Sequence, residues 1–415
     1  MAENGLDAVD SAGHVIFARD EWRRHGATVP ACLVGIMLVA VHNYTLGAMI
    51  HPLEQAFGWS RAAITAGPML PSMAAVVMAP LVGMAIDRFG PRRIALAGVP
   101  LFCGSLALLS QAGPSIVSWL ALYFLLGVAS MLIFPTVWTA AINARFDRNR
   151  GLALAVTLAG TGISSAIMPS FATALVARYG WASAYVTIAA LAFVVVYPVV
   201  LLLFSRDEAR LETLTRQQRE RPLLAEMLAP RYLKLAGAAF TFGIAGSALT
   251  TNAVPILLAE GFSAMAAAKL AGWVGLGSIC GRIAGGVLLD RFDARHVAAL
   301  SMAMPAASVG ILLAGQPGPS LAGLACFLLG LAAGTEYDAC AYLAARHFGM
   351  RRFGALFGSI GGILLFANGI APMLANRVYD LTRSYDAVLW ALLPLLALTA
   401  VLFLALGRSP EHIEA

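Results

Sequence analysis

The chain has 415 residues and a formal net charge of +6; 60% of its residues are hydrophobic and only 12% are charged. Its mean hydropathy is +0.79. Soluble domains are typically about one quarter charged, so the composition excludes an ordinary soluble protein and indicates a chain surrounded mostly by lipid.

Apolar stretches recur along the whole chain, and each is long enough to cross a hydrocarbon core of about 30 Å as a helix. The first 28 residues are polar and charged and lack the layout of a cleavable signal peptide. We predict twelve membrane-spanning helices, near residues 29–50, 62–86, 93–111, 115–142, 150–177, 181–204, 233–258, 264–290, 295–314, 318–346, 353–377 and 385–407.

The Lys and Arg residues divide unevenly between the two sets of loops. The N-terminal tail and alternate loops hold 22 of the 28, the opposite loops hold five, and Arg282 lies inside the eighth predicted span. Such an excess is typical of cytoplasmic loops. We therefore expect a multi-pass protein of the cell inner (plasma) membrane with both termini in the cytoplasm. The basic net charge reflects this topology, so we expect no nucleic acid partner.

A long polar segment separates two groups of six spans. We predict a cytoplasmic tail at 1–28, a six-helix bundle at 29–204, a cytoplasmic linker at 205–232, a second six-helix bundle at 233–407 and a cytoplasmic tail at 408–415. The five cysteines lack paired spacing and no Cys/His set has metal-ligand spacing, so we expect no metal and no cofactor. The G-x-x-x-x-G-K-[ST] motif is absent, which argues against ATP as the energy source.

The two groups of spans carry an internal repeat at a single offset of 203 residues. Asp87-Arg88-Phe89 matches Asp290-Arg291-Phe292, and Ser60 matches Ser263. Because six spans is an even number, the second copy enters the membrane in the same orientation as the first. Parallel repeats of this kind form two halves with a binding site between them near the midplane, and they alternate access by rocking.

The loop after the second span, GMAIDRFGPRR (83–93), resembles the signature loop of the major facilitator superfamily, usually G-x-L-A-D-R-x-G-R-R. The second copy, GVLLDRFDARH (286–296), keeps most of this pattern. The resemblance implies an all-α integral membrane fold of twelve helices, arranged as two parallel six-helix halves around a central cavity. It also implies a gating latch of ion pairs, although plain positive-inside anchoring is the alternative reading. The latch residues would be Asp87, Arg88 and Arg92, with Asp290 and Arg291 in the second copy.

Within the superfamily, FGWSRAAI (57–64), the block at 145–162 and the tenth span are similar to bacterial monocarboxylate and oxalate/formate-type carriers. In monocarboxylate carriers an Arg of the eighth helix receives the substrate carboxylate, and Arg282 stands at the matching place. The Asp that precedes this Arg by four residues is Ser278 here, and the first span lacks the Lys of the animal carriers. The resemblance implies substrate binding by Arg282 and leaves the proton-coupling residue open.

Two acids and one arginine lie inside apolar spans, where an ionisable side chain costs about 2.5–3.5 kcal/mol and needs a partner or a water-filled cavity. Arg282 precedes Asp290 by eight residues and Asp338 precedes Arg346 by eight, so both charges lie about 12 Å from cytoplasmic helix ends. We predict that Arg282 binds substrate and pairs with Asp338; a purely structural ion pair is the alternative. Glu336 is about 3 Å deeper and points about 200° away from Asp338. Burial favours its neutral form, so we favour Glu336 as the proton carrier, although the choice between the two acids stays open.

Polar residues of other spans are candidates for lining the central cavity beside Arg282. They are His42, Asn43, Tyr44, Asn252, Asn368 and Tyr342. For each, a hydrogen bond between helices or simple core packing is the structural alternative.

We predict that the chain is no enzyme but a secondary active transporter, which moves a small organic anion, a monocarboxylate, with a proton. We expect it to work as a monomer in lipid. Three other functions stay open. An organic anion exchanger would show trans-stimulation without a proton requirement, an exporter of hydrophobic compounds would tolerate loss of the Arg282 charge, and a sensor would bind without transport.

Overall fold

The computed structural model describes residues 18–146, 149–204, 226–348 and 350–407. These residues are almost entirely α-helical and contain no β-strand. Residues 1–17, most of the expected linker (205–225) and the C-terminal tail lie outside them, so the predicted tails and linker stay predictions. The helices are, in chain order, α1 (Ala18–His25), α2 (Thr28–Phe57), α3 (Arg61–Thr65), α4 (Met69–Phe89), α5 (Pro91–Leu108), α6 (Ile116–Met131), α7 (Pro135–Asn143), α8 (Arg150–Leu203), α9 (Pro230–Thr251), α10 (Ala253–Ala259), α11 (Ala264–Ala271), α12 (Trp273–Arg291), α13 (Ala294–Ser301), α14 (Ala303–Leu313), α15 (Pro319–Phe348), α16 (Met350–Thr382) and α17 (Asp386–Leu404).

The described helices match the predicted spans. Among the described residues, ten helical segments are by length and composition able to cross a membrane. One of them, α8, has 54 residues and breaks at Gly180, whose φ of 78° and ψ of 167° are non-helical, so it covers the fifth and sixth spans. Helix α4, with 21 residues, corresponds to the second span. The seventh span is divided at Asn252, where α9 ends and α10 begins.

The repeat predicted from sequence is present as repeated local geometry. Gly58 and Gly261, which are 203 residues apart, both adopt left-handed backbone angles, with φ of 68° and 89°. Ser60 and Ser263 follow them, and each hydroxyl accepts a hydrogen bond from the backbone N–H three residues on, at 3.2 and 3.4 Å. Each half therefore starts its second span with the same turn and the same helix cap.

Glycines bring helices of the same half into backbone contact at equivalent places. A Cβ atom on Gly127 of α6 would lie 2.8 Å from the Cα atom of Pro71 in α4. A Cβ atom on Gly330 of α15 would clash with the carbonyl oxygen of Val274 in α12. Because Pro71 and Val274 are also 203 residues apart, the same pair of helices packs in the same way in both halves.

The two halves meet along several helix pairs, chiefly α8 with α12 and α4 with α16. Small residues permit this approach: a Cβ atom on Gly275 of α12 would clash with the carbonyl oxygen of Gly162 in α8. A Cβ atom on Gly47 of α2 would lie 2.8 Å from the carbonyl oxygen of Thr251 at the end of α9. The charged residues of α12 and α15 lie beside this interface.

Candidate functional site

The packing of α12 against α15 places the charged residues of the two helices side by side. Gly277, Gly281 and Gly285 recur at every fourth position of α12, and a Cβ atom on any of them would meet α15. The hydroxyl of Thr335 in α15 donates a hydrogen bond of 3.0 Å to the carbonyl oxygen of Gly281. Small residues at this spacing let helix backbones approach closely within a membrane.

Arg282 and Asp338 form an ion pair across this helix contact. The Arg282 Nη1 atom lies 3.3 Å from Asp338 Oδ1, and the two side chains are 16% and 29% exposed. Arg282 faces the first half: Ile279, one turn away, packs against Gly162 of α8, and Tyr44 of α2 lies within electrostatic reach of the guanidinium. The pairing expected from depth is present, while the transport roles of both residues stay predictions.

Glu336 points away from this ion pair, as its two-residue offset from Asp338 on a helix requires. Its side chain is 2% exposed, and it accepts a hydrogen bond from the thiol of Cys340, with 3.7 Å between Sγ and Oε1. In the described part of the chain, no Lys, Arg or His lies within ion-pair distance of Glu336. The two acids therefore occupy different surroundings: one is paired and partly solvated, and the other is buried beside a weak donor.

Asn43 and Tyr44 lie at the interface between the halves. They line a small cavity of about 10 Å³, with Ser165 of α8 and with Thr250 and Thr251 of α9. A cavity of this size has room for about one water molecule. The structure thus brings Tyr44 close to Arg282, with Asn43 next to it.

Two other candidates are buried within helix packing. His42 is 7% exposed, and its ring lies edge-on to Phe102 of α5, with centroids 5.7 Å apart. Asn252 is fully buried: its Nδ2 donates to the carbonyl oxygen of Ala248 at 2.8 Å, and its Oδ1 accepts from Asn376 at 2.8 Å. The contacts of both residues are with other helix residues, and their part in substrate binding stays a prediction.

The last two candidates lie on α15 and α16. The side chain of Asn368 is half-buried near Gly243, and its backbone oxygen accepts a hydrogen bond of 2.7 Å from Ser247. The Tyr342 hydroxyl accepts a hydrogen bond of 2.9 Å from Arg346, one turn on along α15. Tyr342 thus lies nearer the end of the helix than the ion pair does.

The signature loops show two different arrangements. The side chain of Asp87 lies outside the described part of the structure, and Arg88 is exposed. Arg92 donates to the backbone oxygens of Phe204 and Leu201, at 2.9 and 3.0 Å, and so binds the last turn of α8. This contact was not predicted from the sequence. In the structure Arg92 fixes a helix end, and the latch stays a prediction.

In the second copy, Asp290 and Arg291 line a cleft of about 170 Å³ together with Tyr342, Arg346 and His347. Among the described residues, Asp290 has no cationic side chain within 4.0 Å. The charged residues that would form a latch in the second copy therefore line an open cleft.

Tyr337, which stands between the two acids, was not predicted as a site residue. Its side chain is 41% exposed, and its ring lies edge-on to Phe357 of α16, with centroids 5.4 Å apart. The available signal was an aromatic residue flanked by two intramembrane acids, because intramembrane ionisable residues mark candidate functional sites.

Comparisons with known proteins agree with this architecture. A family model described as the Major Facilitator Superfamily matches residues 32–375. Two curated relatives are both named riboflavin transporter RibJ. The protein of Trypanosoma cruzi (strain CL Brener) is 35% identical over 102 residues, and that of Trypanosoma brucei brucei (strain 927/4 GUTat10.1) is 36% identical over 108 residues. These matches cover 24% and 25% of this chain but only 21% and 19% of the relatives, about a fifth of their length.

Among solved structures, a bacterial homologue of the human lysosomal transporter Spinster is similar in two inward-facing forms. The occupied form has a TM-score of 0.70 and covers 94% of this chain and 97% of that one; the unoccupied form has a TM-score of 0.65, with 92% and 94% covered. Sequence identity is 16% in both cases, so the likeness concerns the fold alone.

Proposed function

Since this chain belongs to the major facilitator superfamily of membrane transporters, we propose that it is a secondary active transporter carrying a monocarboxylate together with a proton. It works as a monomer in the inner (plasma) membrane, with both termini in the cytoplasm. The observation that carries the proposal is the Arg282–Asp338 ion pair inside the spans, at the contact between the two halves.

Arg282 has the chemistry that an organic anion requires. A guanidinium presents N–H groups in a planar fork that matches both oxygens of a carboxylate. Among the described residues, Arg282 donates a single side-chain hydrogen bond, through Nη1 to Asp338. Its other N–H groups are therefore available, and a substrate carboxylate can share the guanidinium with Asp338 or displace it.

The two acids differ in a way that suits proton coupling. Asp338 is paired with Arg282, whereas an ionised Glu336 without a cationic partner would cost several kcal/mol at such burial. We therefore assign the proton to Glu336, which releases it when the movement of the halves brings water to α15.

Transport of one monoanion with one proton moves no net charge. Uptake into proteoliposomes should then follow an imposed pH difference, worth about 1.4 kcal/mol per unit, and ignore an imposed membrane potential. A thermal-shift screen of carboxylates at low and neutral pH selects the substrate, and Arg282→Gln should abolish the stabilisation. Uptake that follows the potential and ignores the pH difference would exclude this stoichiometry.

The two riboflavin transporters give a specific reason for a second candidate, a planar solute without a carboxylate. The exposed ring of Tyr337, beside Phe357, provides aromatic surface close to the ion pair. Riboflavin belongs in the same screen. Stabilisation by riboflavin that survives Arg282→Gln, with no response to carboxylates, would favour this candidate over an organic anion.

A further inference from the structure

The two halves are joined by a polar cluster at the end of the molecule opposite the signature loops. Arg61 begins α3 of the first half, and its Nε lies 3.1 Å from Glu54 Oε2 in the same half. Its Nη1 donates to the Tyr385 hydroxyl of the second half at 3.1 Å, and its guanidinium carbon lies 4.0 Å from the centroid of the Tyr379 ring. Together with Asp380, these residues are called the Arg61 cluster.

Asp380 binds the backbone of the opposite half with both carboxylate oxygens. Oδ1 accepts from the Arg61 N–H at 3.2 Å, and Oδ2 accepts from the Ala62 N–H at 3.0 Å. The first N–H groups of a helix have no partner within that helix, so a carboxylate from another element satisfies them. The second half thus caps a helix of the first half, independently of the Arg61 side chain.

Buried polar groups continue this connection towards the membrane interior. The Tyr385 hydroxyl donates to Asn376 Oδ1 at 2.9 Å. Asn376 Nδ2 in turn donates to Asn252 Oδ1 at 2.8 Å and to the Thr65 hydroxyl of the first half at 3.4 Å. Thr65, Asn252 and Asn376 are all fully buried. If the halves separate here and these groups find no new partners, buried polar atoms are left without hydrogen bonds. The network therefore favours the arrangement in which the two halves are in contact at this end.

At the signature-loop end, three charged residues bind partners within their own half. Arg92 binds α8 of its own half, Arg346 binds Tyr342 of its own helix, and Asp293 binds Arg295 two residues away. These three contacts do not join the halves, whereas those of the Arg61 cluster do.

We propose that the Arg61 cluster is the gate that closes this end of the transport pathway, and that its bonds between the halves must break before a solute can pass there. The inference rests on the proposed function, because a gate has meaning only in a transporter. It goes further by assigning the closing contacts at the end for which the sequence motifs provide no latch.

Distances between spin labels can test the gate directly in the purified full-length protein in lipid nanodiscs. Val117 and Leu321 lie at the Arg61 end of the two halves and are 67% and 52% exposed, so each accepts a labelled cysteine. Cys280 is replaced by Ser in this background, because it is exposed and the other four cysteines are buried. The distance between the labels reports whether this end is closed or open.

Arg61→Gln and Asp380→Asn should each raise the ratio of long to short label distances about tenfold, since a hydrogen bond to a charged group is lost in each case. The double variant should raise it further. Arg178→Gln is the matched control, because that arginine stacks over Tyr179 of its own half and should change nothing.

An unchanged distance distribution in both single variants and in the double variant would overturn the gate. Where Arg61→Gln fails to fold, Tyr385→Phe removes one hydroxyl contact between the halves and should still increase the long-distance fraction. The proposed function fails separately: labels that separate in a protein that transports no carboxylate would refute monocarboxylate transport and leave the gate intact.

Discussion

Removing the charge of Asp338 should raise the affinity for a carboxylate, whereas removing the charge of Arg282 should lower it. If Arg282 receives the substrate, Asp338 is a competing anion that already occupies part of the guanidinium. Asp338→Asn keeps the shape of the side chain and removes its charge, so carboxylate binding should become tighter. Arg282→Gln removes the binding group itself, so binding should be lost.

The geometry sets the size of both effects. With 3.3 Å between N and O, the Coulomb energy is roughly 1.3 kcal/mol in water and roughly 5 kcal/mol at an effective dielectric constant of 20. Side chains that are 16% and 29% exposed are partly screened, and Asn still accepts a hydrogen bond. We therefore expect about 1 kcal/mol for Asp338→Asn, roughly fivefold tighter binding. Arg282→Gln forfeits two charge-assisted bonds, about 3 kcal/mol or more, which is over 100-fold.

Titration calorimetry at neutral pH can measure both effects, with the carboxylate that most stabilises the wild-type protein in the thermal-shift screen. Asp386→Asn is the matched control, because Asp386 is exposed at the start of α17 and should not alter affinity. Weaker binding in Asp338→Asn, comparable with that of Arg282→Gln, would refute the competition argument and make Asp338 part of the binding group.

Three further substitutions give sharp outcomes. Glu336→Gln cannot release a proton, so proteoliposome uptake driven by a pH difference should fall to background while carboxylate binding persists; retained pH-driven uptake would remove Glu336 from the coupling. Gly330→Ala should lower the unfolding temperature, because overpacking against the Val274 carbonyl costs about 1–3 kcal/mol, whereas Gly310→Ala, with no atom within 4 Å of its Cβ, should not. Arg92→Gln should speed amide hydrogen exchange in the last turn of α8, and unchanged exchange there would show that its two hydrogen bonds are dispensable.

The spans, the repeat and the partner of Arg282 could be predicted because each depends only on regular helix geometry. The position of a residue along a straight helix gives its depth in the membrane and the direction of its side chain. Depth paired Arg282 with Asp338, and direction separated Glu336 from that pair. The turns at Gly58 and Gly261 share a Gly-x-Ser sequence ending at Ser60 and Ser263, so the repeat carries the same local structure into both halves.

The remaining contacts depend on how neighbouring helices are rotated against each other, which no single span encodes. His42 and Tyr44 are neighbours in sequence, yet one packs against Phe102 within its half and the other lies near Arg282. Asn252 bonds to Asn376, which is 124 residues away. Neither asparagine has a local pattern that marks its partner, so their pairing appears only once both helices are packed.

The two halves repeat each other in shape but not in charge. Arg61 and Arg282 have no charged counterpart, because the residues 203 positions away are Ala264 and Ala79. No Asp, Glu, Lys or Arg lies inside the first-half spans away from their ends. A carboxylate bound inside the spans would therefore take its cationic partner from the second half, and the first-half spans would contribute only uncharged surface. Two halves of the same shape thus differ in what they offer an anion.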